Sequence, residues 1–451
     1  MTSFLATDNY SPFIVLLIGI ATFIGLLGIG LLFLHIARLK MPSPWRQVVG
    51  VLLGIQILSL TVQIVGMIGI AIPPVLIGIW IILVAVGGLS CYRLAYPLQP
   101  PKTQIIPRGW RILPLIIGIV ALTVNLLVAI APSTKIDELH YHMLLPSRIV
   151  SDRALNFYQE PLEGAIMPHM HFQIALTPLH SLGFPDAGNV ISWSLSLTLV
   201  WFGWYLISQS IQESAFGYFC VTPIVVGIYP VVWYVTGGAH AMGDLATASV
   251  VVALFTKENL LKQVNYQTYG FICSFLVLAA GTSKITLLPL GAAILCLSII
   301  YLWKYLTTWQ EKLNFFLILS LPWLVFYLPL LIWTFLQSGS PYGPILSNLF
   351  PESVYRSDLT KEYNYLQDVK VYASDGWRNT FRTTLLGYSP LVWLLTCAIV
   401  LAKKISFPKR VSIVALLLFQ ITIIIFLLTN EARYLGGLQY GIIILFGMNI
   451  S

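Results

Sequence analysis

The chain has 451 residues, of which 57% are hydrophobic and only 9% are charged. This composition is typical of a polytopic helical membrane protein and excludes a soluble globular domain. The formal net charge of +8 is spread over short loops, which indicates membrane topology and contact with anionic lipid rather than nucleic-acid binding.

Apolar segments of about 20 residues, the length that one helical crossing requires, recur along the whole chain. They predict an all-α polytopic membrane protein with about 13 transmembrane helices. The predicted spans are approximately 13–36, 48–70, 74–92, 112–132, 189–209, 216–235, 244–256, 268–282, 285–303, 315–336, 383–402, 411–429 and 434–450. The spans near 244–256 and 268–282 are short, and tilted or partly re-entrant helices would also account for them.

The basic residues orient these spans. Fifteen of the 25 lysines and arginines fall in loops on one side of the predicted bundle, which the positive-inside rule makes cytoplasmic. Fourteen of the 17 acidic residues and six of the seven histidines then lie outside. Because acidic residues do little to set topology, this skew predicts a functional surface on the extracytoplasmic side.

Two predicted extracytoplasmic loops are long, 132–188 and 337–382. Within the first loop, residues 138–150 and 169–182 carry apolar side chains near helical spacing. This pattern predicts two helices that lie along the membrane surface. The glycines of the first span favour close helix packing instead of ligand binding. They are Gly19, Gly25, Gly28 and Gly30.

Three carboxylates on the outer side are candidate catalytic groups. Asp137 and Glu138 follow directly on a predicted span, and Asp244 begins another. A carboxylate at a low-dielectric boundary has a raised proton affinity, which is the property of a tuned general base. The alternatives are solvated loop carboxylates for the first two and a helix cap for Asp244.

Two cations are candidates for binding a phosphate at the same depth. Lys284 lies between two predicted spans, and Arg433 lies where an outer loop meets the last one. An ammonium or a guanidinium at this position suits a phosphate held at headgroup level. A snorkelling lysine and an internal pair of Arg433 with Glu431 or Asp244 are the alternatives.

Four histidines form two His-x-His pairs in the first outer loop, His140 with His142 and His169 with His171. On a helix, side chains at i and i+2 diverge, so the two rings of one pair do not easily reach one ion. One histidine from each pair with a carboxylate, such as Asp137, His142 and His169, would still suit a divalent metal. Polar contacts to a sugar or a phosphate, or ordinary interfacial histidines, are the alternatives.

Together these motifs resemble the GT-C superfamily of integral-membrane glycosyltransferases, which use polyprenyl-phosphate-linked sugars. The likeness is greatest to the bacterial branch related to protein mannosyltransferases and aminoarabinose lipid A transferases. The residues that carry it are Asp137-Glu138 with Leu139-His140-Tyr141-His142, Met167-Pro168-His169, Asp244, Ser283-Lys284-Ile285-Thr286, Ser340-Pro341-Tyr342-Gly343-Pro344 and Ala432-Arg433-Tyr434-Leu435. Ser340 stands where the family has asparagine, and Gly436-Gly437 stand where Leu-Pro is common.

The resemblance implies transfer of a sugar from a polyprenyl phosphate, with inversion, on the outer face of a bacterial-type cytoplasmic (inner) membrane. Asp137 would be the base, Glu138 and Asp244 would position the acceptor or hold a cation, and Lys284 and Arg433 would bind the phosphate. The four histidines, Tyr342 and Tyr434 would contact substrate. It also implies a catalytic module over 112–451, preceded by a three-helix extension over 1–111. The acceptor, whether glycan, lipid or protein, is not implied.

Two other functions compete with this one. A transporter or lipid flippase would require charged or broken helices near the bilayer midplane and commonly an internal repeat. The sequence shows no such repeat. A ligase of the O-antigen type shares the lipid-linked donor and is harder to exclude.

Overall fold

The computed structural model describes residues 11–95, 112–133, 139, 142–158, 167–210, 240–303, 305–342, 349–350, 352–354, 406–427 and 436–449. Within these ranges every regular element is a helix and no strand occurs. The predicted all-α class is therefore confirmed for this part of the chain.

Sixteen α-helices are defined within the described ranges. They are α1 (Pro12–Ile36), α2 (Trp45–Met67), α3 (Pro73–Leu94), α4 (Ile112–Ala129), α5 (Leu144–Asp152), α6 (His171–Ala175), α7 (Thr177–Ser181), α8 (Ala187–Ser210), α9 (His240–Phe255), α10 (Lys257–Leu261), α11 (Tyr266–Ser283), α12 (Leu288–Trp303), α13 (Trp309–Pro322), α14 (Leu328–Ser338), α15 (Phe407–Leu427) and α16 (Gly436–Asn449). Met167–His169 and Ile285–Leu287 form 3₁₀ turns, and Trp323–Tyr327 forms a π-helical turn between α13 and α14.

Six segments among the described residues are long and apolar enough to cross a membrane. They are Pro12–Ile36, Trp45–Met67, Pro73–Leu94, Ala187–Ser210, Ile285–Trp303 and Trp309–Ser338. Shorter apolar helices cover Ile116–Ala129, His240–Phe255 and Gly436–Met448. This set indicates a multi-pass membrane protein. The predicted spans 216–235 and 383–402 lie outside the described residues, so the number thirteen stays a prediction.

Local sequence signals set several helix starts. Helices α1 and α3 begin at Pro12 and Pro73, where a fixed φ suits the first turn and the missing N–H is not needed. Asn265 caps α11 by accepting a hydrogen bond of 2.8 Å from the backbone N–H three residues later. Thr308 and Glu311 form a reciprocal capping box at the start of α13.

Glycines bring α1 into backbone contact with its neighbours. A Cβ added to Gly28 would overlap the carbonyl oxygen of Gly87 in α3, and one added to Gly30 would overlap that of Gly50 in α2. Gly19 and Gly25 also meet neighbouring helices too closely for a side chain. The prediction that the glycines of the first span serve close packing is confirmed.

The three N-terminal helices are integral to the bundle. Helix α1 packs against α8, and α2 packs against α6 and α11. Residues of all these helices belong to one continuous apolar core that extends to α16. Large apolar side chains on the outer faces of α1, α3 and α4 remain exposed, as helices in contact with lipid acyl chains require.

The short helices between α4 and α8 correct one prediction. Helix α5 has a buried apolar face and an exposed polar one. Residues 169–182, in contrast, are mostly buried within the protein, where α6 packs against α2 and α7 against α3. The prediction of a second helix along the membrane surface is therefore wrong. Apolar residues cover more than one face of this segment, and periodicity alone does not distinguish burial in protein from burial in lipid.

Candidate functional site

A buried polar cluster begins at the 3₁₀ turn that ends with His169, whose side chain is 4% exposed. Its Nδ1–H donates to the carbonyl oxygen of Gly281 at 2.6 Å. Its Nε2 then accepts from the Tyr327 hydroxyl at 3.2 Å. Burial lowers the pKa of His169 to about 4, because a charged imidazole would lose its hydration. His169 is therefore a neutral ring that joins three separate segments.

His171 joins a different set of partners. Its Nδ1–H donates to Oε1 of Gln56 at 2.6 Å, and Nε2 of Gln56 donates to Oγ1 of Thr282 at 2.7 Å. The Thr282 hydroxyl completes the series by donating to the Leu278 carbonyl at 2.9 Å. Burial, reinforced by the neighbouring His169, lowers the pKa of His171 to about 3. The hydrogen-bonded series His171–Gln56–Thr282 thus ties three parts of the chain together.

The rings of this histidine pair reach different partners, which confirms that the two do not converge on one point. His142 is also buried, and its Nδ1 lies 2.8 Å from Nε2 of Gln173 in α6. One histidine of the first pair is thereby fixed to the helix that begins at His171. The segments around 142 and 167–173 form one polar unit.

Lys284 comes shortly after Gly281 and Thr282, the two residues that His169 and Gln56 bind. It is 9% exposed and adopts an extended conformation between α11 and the next 3₁₀ turn. Its backbone N–H donates to Ala280 and its carbonyl accepts from Leu287. Because Gly281 and Thr282 are held by His169 and Gln56, the position of Lys284 is held as well. Its burial in protein argues against a snorkelling side chain.

Asp244 is the fifth residue of α9 and is 3% exposed. Its carboxylate accepts a hydrogen bond from the backbone N–H of Gly437, at the N-terminus of α16. A Cβ on Gly436 would lie only 3.0 Å from Asp244 Oδ2. The glycine pair that departs from the family pattern therefore makes room for this carboxylate. The carboxyl group of Asp244 therefore lies against the N-terminus of α16.

Two further contacts bring the predicted segments together. A Cβ on Gly243 would lie 2.6 Å from Ser283 Oγ, so α9 and α11 are in direct contact at these two residues. Asp244 and Lys284 are the residues that come next in the sequence on either side of this contact. The rings of His169 and Tyr342 stack with centroids 6.1 Å apart and planes inclined by 24°. Segments that are far apart in sequence, around 169, 244, 284, 342 and 436, therefore meet in one region.

Several predicted site residues lie outside the described residues. They are Asp137, Glu138, His140, Arg433 and Tyr434. The candidate metal set of Asp137, His142 and His169 includes one of them. Among the residues that the structure describes, no group of three His, Cys, Asp or Glu side chains is arranged to hold a metal ion. Both ring nitrogens of His169 already have partners.

Sequence reasoning missed Gln56, Gln173, Thr282 and Tyr327. The signal for Gln56 was available, because an amide in the middle of an apolar span is costly unless it is hydrogen-bonded. It was overlooked because the first three spans precede the motifs that carry the resemblance. Gln56 lies about 16 Å from either end of α2 at 1.5 Å per residue. The polar cluster therefore reaches deeper along the helices than the predicted outer helix ends.

No protein-family model, curated protein or solved structure matches the chain. The resemblance to membrane glycosyltransferases thus depends on the motif residues themselves.

Proposed function

We propose that the protein transfers a sugar from a polyprenyl-phosphate donor to an acceptor on the extracytoplasmic side of the membrane. One observation carries the proposal: the motif segments around 169, 244, 284 and 342 meet in a buried polar region of an otherwise apolar bundle. Polar and ionisable groups in such surroundings are expensive to maintain and mark functional sites.

The proposed role of Lys284 is to bind the donor phosphate, together with Arg433. As the glycosidic bond breaks, negative charge develops on the departing polyprenyl phosphate, and fixed cations stabilise that charge. The hydrogen bonds to Gly281 and Thr282 support this role because they fix the backbone next to Lys284. A preorganised cation need not be rearranged when the charge develops.

The proposed base is Asp137. It takes the proton of the acceptor hydroxyl, whose oxygen forms the new bond to the anomeric carbon from the face opposite the phosphate. The bond from that carbon to the phosphate oxygen breaks, and the polyprenyl phosphate leaves with the electron pair. Glu138 and Asp244 position the acceptor or hold a cation. His142 and the neutral rings of His169 and His171, with Tyr342 and Tyr434, shape the donor pocket.

The test is an assay of purified protein with a panel of radiolabelled polyprenyl-phosphate sugars and mixed acceptors. We expect loss of the lipid-linked label with at least one donor. Lys284→Ala should weaken apparent donor affinity by about 10- to 100-fold, because a hydrogen bond to a charged group contributes roughly 1.5–3 kcal/mol. Lys409→Ala removes an exposed lysine of α15 and serves as the control.

The base is tested separately. Asp137→Asn should lower turnover by about 10² to 10⁴ with donor affinity retained, since that is the usual contribution of a positioned general base. Glu138→Gln should do less. Retention of label with every donor, or full activity of both carboxylate variants, would contradict the enzymatic function.

Transport or lipid flipping is the second candidate, and two observations favour it. The polar cluster reaches the middle of α2, and the segment Trp309–Ser338 is interrupted by a π-helical turn. Interrupted helices and polar groups at mid-depth are features of transporters. Movement of a fluorescent polyprenyl-phosphate sugar between leaflets, with the sugar still attached, would distinguish flipping from transfer.

A further inference from the structure

A second polar region lies at the end of the bundle where α1 ends and α2 begins. Cationic and imidazole side chains line a cavity of about 730 Å³ there, namely His35, Arg38, Lys40 and Arg46. Apolar residues of the α1–α2 connection and Gln263 complete the lining. No carboxylate is among the described residues that line it, so these residues give the cavity a net positive charge.

The sequence explains why this charge is not balanced by the N-terminal helices. No aspartate or glutamate occurs between Asp8 and Asp137. The backbone at Arg38 has φ = 56°, in the left-handed region that favours glycine or asparagine. An arginine in this region is conformationally strained, because its Cβ crowds the backbone. The chain thus places a cation at this turn despite an unfavourable backbone conformation.

An apolar cavity adjoins the basic one. It measures about 480 Å³ and lies between α1 and α3, where Leu32, Ala85, Val86 and Leu89 form much of its wall. His35 lines both cavities, and Arg93 lies in the second. Val86 and Leu89 are exposed on the outer face of α3, which the membrane covers in a spanning helix. The pair of cavities therefore offers a cationic compartment beside an apolar one, with His35 between them.

We propose that these cavities bind an anionic phospholipid. The phosphate would occupy the basic cavity formed around Arg38 and Arg46, and an acyl chain would lie along the groove between α1 and α3. Charge complementarity favours an anionic headgroup over a zwitterionic one, because cationic side chains near the membrane surface attract lipids with a net negative charge. The site is separate from the polar cluster around His169, and it does not depend on the proposed glycosyl transfer.

The test is native mass spectrometry of the full chain, purified in detergent and titrated with phosphatidylglycerol or with phosphatidylcholine. We expect retention of phosphatidylglycerol over phosphatidylcholine by about tenfold or more in the unmodified chain. The double variant Arg38→Gln, Arg46→Gln should abolish this preference. The control is Lys312→Gln, Lys409→Gln, which removes the same charge from other helices and should retain the preference.

The groove is tested independently by Ala85→Trp, which fills the apolar cavity. This variant should lower phosphatidylglycerol retention while binding of glycerol phosphate, which has no acyl chain, is unchanged. Equal losses in the two double variants would show a general effect of net charge and overturn the proposal. Binding of glycerol phosphate with the same affinity as the phospholipid would show a free-anion site and overturn it as well.

Discussion

The buried histidines His169 and His171 act as neutral hydrogen-bonding groups. Each uses Nδ1–H to bind an acceptor on another segment, Gly281 for one and Gln56 for the other. A protonated ring at either position would be a buried cation with no carboxylate among its described partners. Sequence reasoning identified both residues as polar contacts of a functional region but gave no indication of their partners, because those partners lie on distant spans.

The pH dependence of stability follows from these two rings. An unfolded histidine has a pKa of about 6.5, whereas the folded values are about 4 for His169 and about 3 for His171. The unfolded state therefore binds more protons below pH 6.5, and the free energy of unfolding falls as the pH decreases. The loss should be on the order of 2 kcal/mol per histidine at pH 5. Thermal unfolding in detergent at pH 7 and pH 5 measures it.

The control for this prediction is the exposed His35. His171→Gln should reduce the difference in unfolding temperature between pH 7 and pH 5, whereas His35→Gln should leave the difference unchanged. An unchanged pH dependence in His171→Gln would show that other groups dominate the acid destabilisation.

At the scale of elements, the helix positions were predictable because length and hydropathy define a span. The predicted spans 13–36, 74–92 and 285–303 lie within two residues of segments that the structure describes. The enclosed segment 169–182 was not predictable in the same way. Its burial depends on side chains of α2 and α3, and this tertiary context is absent from local periodicity.

Gln56 provides a test of how the N-terminal helices support the site. Gln56→Leu removes the bridge between His171 and Thr282, so the C-terminal turn of α11 should open more often. We expect faster amide hydrogen exchange in a peptide that covers 279–288, and weaker apparent donor affinity if Lys284 binds the phosphate. Thr282→Ser should behave as the unmodified chain because it keeps the hydroxyl.

The matched control is Gln63→Leu. Gln63 is equally buried on the same helix, but its amide donates to Ser59 within α2. Its loss should leave exchange in 279–288 unchanged. Similar exchange in the two leucine variants would show that the bridge does not hold this segment. Altered exchange without any change in donor affinity would show that the bridge stabilises this segment but does not contribute to donor binding.

Adjacent glycines of α3 test the close packing of α1. A Cβ on Gly87 would overlap the backbone of Gly25, whereas Gly88 has no atom within 4 Å of its added Cβ. Gly87→Ala should therefore destabilise the bundle by about 1–3 kcal/mol, the usual cost of overpacking. Gly88→Ala should be neutral or slightly stabilising, since alanine favours a helix over glycine. Unfolding temperatures of the two variants should differ by several degrees; equal values would contradict the packing.

At the scale of the whole molecule, the two ends of the bundle differ in chemistry. One end carries the basic cavity around Arg38, and the other carries α5 and the loop that packs beside Gly66 at the end of α2. The sequence predicted this polarity from the distribution of charge. It did not reveal how far the polar cluster extends into the bundle, because depth depends on how helices are staggered against one another.

We expect the orientation of the molecule in the membrane to follow from this polarity. Ser151 is exposed beyond the buried face of α5, and Lys40 is exposed in the connection between α1 and α2. Because the positive-inside rule places the basic end in the cytoplasm, Ser151→Cys should react with a membrane-impermeant thiol reagent in intact cells. Lys40→Cys should react only after lysis. The unmodified chain, which has an exposed Cys296, gives the background for both. Labelling of Lys40→Cys in intact cells, with Ser151→Cys protected, would reverse the orientation and place the polar cluster on the cytoplasmic side.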